Sequence, residues 1–268
     1  MTEFIDTHSH LYEPEFDADR DQAMARAAEA GVRRLLLPAI DRESYRRMFD
    51  MCLRWPDRCF PMMGLHPTSV NDNPRWEEDL QLVGQMVENP PVERFWGIGE
   101  IGLDYYWSRD FRPQQREAFI RQLELSLSCG LPIAVHTRDA WDDMVEIVQG
   151  FAGRGLRGVF HAFSGSAEHL AELRRCGEFV FGIGGTVTFK KSAIAGLVRD
   201  MELSEMVLET DCPYLTPVPH RGERNESAYI PLICNRIAEI KETTAEIVAR
   251  TTTSAAERIF FSTSAQRD

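Results

Sequence analysis

The sequence predicts an α/β chain folded as an (α/β)8 TIM barrel, with short helices at its C-terminal end. Two observations point there. Short apolar runs suited to buried parallel strands alternate with longer segments of helical pattern, and residues able to do chemistry gather at the ends of those runs. The runs are Phe4 to His8, Arg34 to Pro38, Phe60 to His66, Phe95 to Glu100, Pro132 to His136, Gly158 to His161, Phe179 to Gly184 and Met206 to Asp211. An open doubly wound sheet would show the same alternation. The barrel is preferred because His8, His66, Glu100, His136, His161 and Asp211 each end a predicted strand, and barrel enzymes build their sites from several strand ends on one rim.

The intervening segments carry helix punctuation. Asp17 or Asp19 can cap a helix that stops at Gly31, a second runs from about Pro113 to Gly130, and Ser166 can cap a third that ends before Gly177. From Tyr229 the chain reads as two or three short helices closing the barrel and covering its side. No low-complexity linker or shift in composition divides the 268 residues, so one domain over 1–268 is expected.

A formal charge of −12 argues against a protein that coats duplex DNA with a broad basic face, though not against a small anion pocket. Cys52, Cys59, Cys129, Cys176, Cys212 and Cys234 form no C-x-x-C pair, which suits reduced thiols and a cytoplasmic location. The first residues lack the basic and apolar regions of a secretion signal, and no run approaches the ~18 apolar residues of a membrane span. A soluble chain with no membrane association and no stable protein partner is expected.

His8 and His10 stand one residue apart at a strand end, so both imidazoles face the same way and can bind one ion. Glu100 lies in Gly97-Ile98-Gly99-Glu100-Ile101-Gly102, where glycines permit close backbone approach and a carboxylate can bridge two cations. His136 and His161 follow apolar runs on consecutive strands. Asp211 closes Val207-Leu208-Glu209-Thr210-Asp211, whose alternation puts Val207, Glu209 and Asp211 on one face, with Glu209 a candidate to orient a ligand. Taken singly, each is more simply a packed or paired residue. Jointly, six ligand-type side chains at one rim predict two divalent ions sharing Glu100, about 3.5–4 Å apart, with Asp211 able to accept a proton from bound water.

At these residues the sequence resembles the TatD family of metal-dependent nucleases, over nearly its whole length. The matching stretches are Ile5-Asp6-Thr7-His8-Ser9-His10-Leu11, Gly64-Leu65-His66-Pro67, Ile98-Gly99-Glu100-Ile101-Gly102-Leu103-Asp104-Tyr105, Val135-His136-Thr137-Arg138-Asp139-Ala140, His161-Ala162-Phe163-Ser164-Gly165, Thr186-Val187-Thr188-Phe189-Lys190 and Leu208-Glu209-Thr210-Asp211-Cys212-Pro213-Tyr214-Leu215. The resemblance implies the barrel, the six ligands His8, His10, Glu100, His136, His161 and Asp211, and hydrolysis of phosphodiesters as a 3'-to-5' exonuclease on the ends of single-stranded DNA or RNA. It implies Mg2+ for activity, whereas four imidazoles suit Zn2+, Mn2+, Fe2+ or Ni2+ better, so the resting and the working metal can differ. The chain departs from the family pattern at Ser227, where Pro is usual, and at Ser254, where Asn is usual, which bears on loop rigidity and tail packing.

For substrate, His220, Arg221 and Arg224 follow the eighth strand and are candidates to hold a non-scissile phosphate; the alternative pairs these arginines with Glu223 or Glu226. His66 is a candidate to donate to a phosphate oxygen or to help the leaving group, with Arg138 and Lys190 or Lys191 as further candidates for that task. Tyr105, Tyr106 and Trp107 offer aromatic faces for an unpaired base. The rival enzymatic reading is an amidohydrolase cutting amides or esters of small molecules or of aminoacyl-tRNA; many of those bridge their metals with a carboxylated Lys where this chain has Glu100. A third reading makes the metals structural and the barrel a scaffold, but closed structural sites use four ligands per ion.

Overall fold

A computed structural model describes residues 3–262 of the chain. Eight parallel strands follow one another in a single sheet in chain order, which is the topology of an (α/β)8 barrel and not that of a doubly wound sheet, whose strand order reverses. They are β1 (Phe4–Asp6), β2 (Val32–Pro38), β3 (Cys59–Met63), β4 (Gly97–Asp104), β5 (Ile133–Arg138), β6 (Arg157–Phe160), β7 (Glu178–Ile183) and β8 (Met206–Leu208). The helices are α1 (Arg20–Glu29), α2 (Arg42–Arg54), α3 (Trp76–Glu88), α4 (Arg112–Cys129), α5 (Trp141–Gln149), α6 (Ala167–Leu173), α7 (Ile194–Asp200), α8 (Ile230–Ile240) and α9 (Ala245–Ala256), the last running into a π-helical turn, Glu257–Phe261.

The chain divides into two compact units: one is Leu37–Phe179, and the other joins the stretches on either side of it. Within Leu37–Phe179, β4 and β5 carry a dry core of Ile98, Ile101, Leu103, Ile133, Ala134 and Val135, against which α4 buries Ala118, Phe119 and Leu123. Each of the larger of these side chains, Ile, Leu, Val and Phe, stabilises the fold by about 1.5–3 kcal/mol through lost apolar exposure. Gly130 ends α4 in the left-handed conformation (φ 67°) that favours glycine, where the sequence predicts the stop. Ser166 caps α6 as expected, its Oγ accepting from His169 N at 3.2 Å.

In the other unit, Thr7 N donates to Leu208 O at 3.0 Å and Asp211 N to His8 O at 2.8 Å, so β8 lies beside β1. Asp19 stands at the N-cap of α1, but its side chain does not cap the helix. Instead it binds Arg26 at 3.0 Å and Arg224 at 2.7 and 2.8 Å. Those two guanidiniums hold its carboxyl down at about 2, Arg224 contributing most.

Five strands end two or more residues from where the sequence reading places them. β1 stops at Asp6, short of His8. β3 stops at Met63, short of His66, because both backbone groups of Leu65 are taken by the side chain of Gln122: its N donates to Oε1 at 2.8 Å and its O accepts from Nε2 at 3.2 Å. β4 runs beyond Glu100 to Asp104 and β5 beyond His136 to Arg138, because the two strands continue to pair, Gly102 opposite His136 and Asp104 opposite Arg138. β8 stops at Leu208, and Asp211 has left-handed backbone (φ 58°), so the strict alternation expected from Val207 to Asp211 does not hold.

Candidate active site

Between Ile98 and Ile101 the register of β4 against β5 slips, three residues spanning what two span opposite. Glu100 sits in that bulge, a device that re-aims a side chain. Glycine is required on both sides: a Cβ on Gly99 would stand 2.7 Å from the Cβ of Ala134, and one on Gly102 would lie 2.0 Å from the carbonyl oxygen of His136.

Within Leu37–Phe179 the buried carboxylate of Glu100 gathers three imidazoles. Its Oε1 is 3.0 Å from His136 Nδ1, 3.4 Å from His66 Nε2 and 3.6 Å from His161 Nε2. The rings of His136 and His161 stack with centroids 6.0 Å apart. His136 Nε2 is 2.9 Å from Asp104 Oδ2, and a carboxylate can only accept, so Nε2 donates to Asp104; a cation held beside Glu100 would then be met by Nδ1, the nitrogen 3.0 Å from Glu100 Oε1. Burial opposes charge on His136, but the Asp104 and Glu100 carboxylates outweigh it and hold the imidazole above its ordinary range.

His66 has the opposite tautomer. Thr68 N donates to its Nδ1 at 3.2 Å, which makes Nδ1 an acceptor and puts the proton on Nε2, the nitrogen facing Glu100. Although His66, Glu100 and His136 lie close enough to hold an ion together, His66 in this state offers a hydrogen where a ligand needs a lone pair. Burial pushes its basicity down, so the ring is neutral at pH 7.

Helix α4 fixes the backbone beside both groups. Gln122 binds Leu65, next to His66. Gln115, seven residues or two turns earlier, accepts from Asp104 N at 2.8 Å and donates to Asp104 O at 2.9 Å.

In the other unit, His8 Nε2 and His10 Nε2 are 3.2 Å apart, and Asp211 Oδ1 is 3.8 Å from the first and 3.4 Å from the second. Two nitrogens each about 2.1 Å from one cation would have about this separation. His10 Nδ1 is 2.8 Å from the hydroxyl of Tyr12. Beneath them lies Asp6, a carboxylate absent from the predicted site. Its Oδ1 accepts from His8 N at 3.3 Å and Thr210 N at 2.9 Å, and its Oδ2 from the hydroxyls of Thr210 and Ser227, each at 2.6 Å. Burial pushes its carboxyl up to about 6. Ser227, the departure from the family pattern, thus supplies a bond that proline has no hydroxyl to make.

Two imidazoles with a carboxylate, buried or nearly so, fit a divalent cation: the ligand atoms of His8, His10 and Asp211 lie close enough to hold one together, as do those of His66, Glu100 and His136, while His161 faces the same Glu100 oxygen at 3.6 Å. The predicted ligands therefore fall into two groups, His8, His10 and Asp211 in one unit and Glu100, His136 and His161 in the other.

The substrate candidates are placed differently. Arg224 is held by Asp19, donates to Glu15 O at 2.6 Å and lies over Phe16, which accounts for its guanidinium within the protein. His220 binds Glu223 at 2.9 Å and stacks on Tyr229 at 4.4 Å, while Arg221 lies over Phe189 at 4.2 Å. Lys190 and Lys191 are exposed in the turn before α7. Tyr105 is buried with its hydroxyl donating to Asp143 at 2.7 Å, so it offers no face for a base; Tyr106, Trp107 and Arg138 are exposed. Asp104, Gln115 and Gln122 were legible only as neighbours of the motifs, since nothing in an isolated sequence ties them to particular histidines.

Comparison with known proteins places the whole chain beside a known family. The family model described as TatD related DNase matches residues 5–261. The uncharacterized metal-dependent hydrolase YabD of Bacillus subtilis is 36% identical over 257 residues, covering 96% of this chain and 98% of YabD. The protein named 3'-5' ssDNA/RNA exonuclease TatD from Dickeya dadantii is 30% identical over 263 residues, covering 96% and 97% of the two chains. The crystal structure of YJJV, a TatD homolog from Escherichia coli K12, superposes with a TM-score of 0.88 at 26% identity, covering 97% and 98%. The chain belongs to the TatD-related DNase family.

Proposed function

We propose that the protein is a metal-dependent phosphodiesterase that removes nucleotides from the 3' end of single-stranded DNA or RNA. The observation that carries this is the convergence of His66, His136 and His161 on the buried carboxylate of Glu100, in a chain whose relatives include a named 3'-5' ssDNA/RNA exonuclease. His8, His10 and Asp211 hold one divalent cation in this reading, and Glu100, His136 and His161 hold another. When bound, such ions polarise the phosphate and lower the pKa of coordinated water.

The chain's own groups do the rest. Asp211, partly open to solvent, orients the attacking water and takes its proton. Asp104 keeps the proton of His136 on Nε2. His66, neutral and held by Thr68, offers Nε2–H to an oxygen of the scissile phosphate or of the leaving group.

The test is incubation of metal-stripped, reconstituted protein with 5'-labelled single-stranded DNA and RNA under Mg2+, Mn2+ and Zn2+, beside Asp211→Asn. A metal-dependent ladder shortening from the 3' end, absent in the variant, is expected. Intact oligonucleotides with every metal, and release of free amino acid from aminoacyl-tRNA or cleavage of small amides instead, would overturn it.

A further inference from the structure

Trp107 is 68% exposed, the most exposed large apolar side chain among the described residues, and its neighbour Tyr106 is 53% exposed. Their rings meet edge to face with centroids 5.0 Å apart. Over Tyr106 at 3.5 Å, and 5.8 Å from Trp107, lies the guanidinium carbon of Arg138. Arg138 is exposed and makes no ion pair among the described residues, in a chain of net charge −12 where Arg26, Arg112, Arg116 and Arg224, among others, are paired with carboxylates. Two exposed aromatic rings beside a solvent-facing cation offer a flat apolar surface and a charge to a ligand that carries both a planar ring and an anion.

Their position ties them to the candidate active site. Tyr106 N donates to Asp104 Oδ1 at 3.0 Å, and the other oxygen of that carboxylate holds His136, which faces Glu100. Arg138 is the last residue of β5, two beyond His136, so strand alternation sends both side chains to the same side. The cluster is therefore one hydrogen-bonded residue away from the proposed ligands, all within Leu37–Phe179.

We infer that Tyr106, Trp107 and Arg138 form a nucleotide clamp, in which a base of a single strand stacks on the exposed indole and Arg138, seated on Tyr106, binds the adjoining phosphate. The inference rests on the nucleic-acid reading above and adds a basis for strand selectivity. Within a duplex both faces of a base are covered by its stacked neighbours, whereas a base of a flexible single strand can turn a face to Trp107, and stacking of this kind accepts any base.

The test measures binding by fluorescence anisotropy in an Asp211→Asn background, which keeps the strand intact. The probes are single-stranded oligonucleotides with either ordinary or abasic residues at the last three 3' positions. The parent is expected to bind the ordinary tail about tenfold more tightly than the abasic one, and Trp107→Ala to lose that preference. Arg138→Gln is expected to weaken both probes and to lower the slope of log K against log salt by about one. Circular dichroism confirms that the variants fold. If Trp107→Ala keeps the preference while unmodified protein still degrades single strands, the clamp is wrong and the nuclease reading stands. If unmodified protein neither binds nor degrades single strands, both fall.

Discussion

His136 donates from Nε2 to the carboxylate of Asp104 across 2.9 Å, and this bond decides which ring nitrogen is left to face Glu100. Partners of this kind commonly change metal affinity by about 10–100-fold. Asp104→Ala is expected to weaken binding of Mn2+ or Zn2+ by that amount, seen as a loss of the tighter phase in calorimetric titration, with the helical circular dichroism spectrum unchanged. Unaltered affinity would mean that the ring is oriented by packing alone.

Glu100→Ala and Asp211→Asn should act differently from each other. The first removes the carboxylate that three imidazoles face, so metal content measured by atomic emission should fall along with turnover. The second weakens one ligand of the other group and replaces the proton acceptor by an amide of similar size, so the metal beside Glu100 should stay while turnover drops by at least about 10²–10⁴-fold, the usual contribution of a general base. Full turnover with full metal content in Glu100→Ala would contradict the role assigned to it.

Chelation should abolish hydrolysis, and the metal that restores it need not be the one bound most tightly. Imidazole-rich donor sets favour Zn2+, Mn2+ or Ni2+ over Mg2+ in affinity. Equilibrium competition is expected to rank Zn2+ above Mg2+ in binding. A higher rate with Mg2+ or Mn2+ than with Zn2+ would show that occupancy and activity are separate properties.

Gln122 satisfies one donor and one acceptor of Leu65, and Gln122→Ala leaves both without that partner in a buried place. A cost of about 1–3 kcal/mol is expected, read as a lower midpoint in urea unfolding. Gln122→Glu keeps an acceptor for Leu65 N but gives up the donor to Leu65 O, so it should lose part of the stability and not all of it.

The Asp19 cluster sets an acid limit. Because its carboxyl is held near 2 in the folded chain, its contribution is complete above about 4 and is lost as the pH falls from there through about 2. Asp19→Asn should therefore lower the thermal midpoint at pH 7 and make progressively less difference on titration toward pH 2. A difference independent of pH would indicate that the ion pairs with Arg26 and Arg224 contribute nothing that depends on charge.

Much of this was written in the sequence, for physical reasons that also explain what was not. Parallel strands buried on both faces must be apolar runs, so all eight were visible, and Gly130 and Ser166 marked helix ends through backbone conformation and side-chain capping. Ligand candidates stood out because His, Glu and Asp beside such runs need an explanation. Strand ends were less legible, since β3 stops where a helix side chain takes over Leu65 and β4 bulges at Glu100, both consequences of contacts distant in sequence. Arg224 shows the same limit: a basic loop invites an anion, and only the fold shows Asp19 already beside it. Asp6 was hidden because a residue that hydrogen-bonds the backbone around a ligand has no signature of its own.

The paired glutamines of α4 have a further consequence. Gln115 and Gln122 each engage the N–H and the C=O of one residue, as a neighbouring strand would, so the helix acts as a ninth partner of the sheet at the point where the strands stop pairing. Its outer side, with Arg112 and Arg116 anchored to Asp143, is far more accessible than the residues it steadies. A ligand or mutation that tilted α4 would move Asp104 and Leu65 together, and with them the tautomer-setting bond of His136 and the seat of His66. The outside of the molecule therefore has a lever on its chemistry that requires no access to the metals.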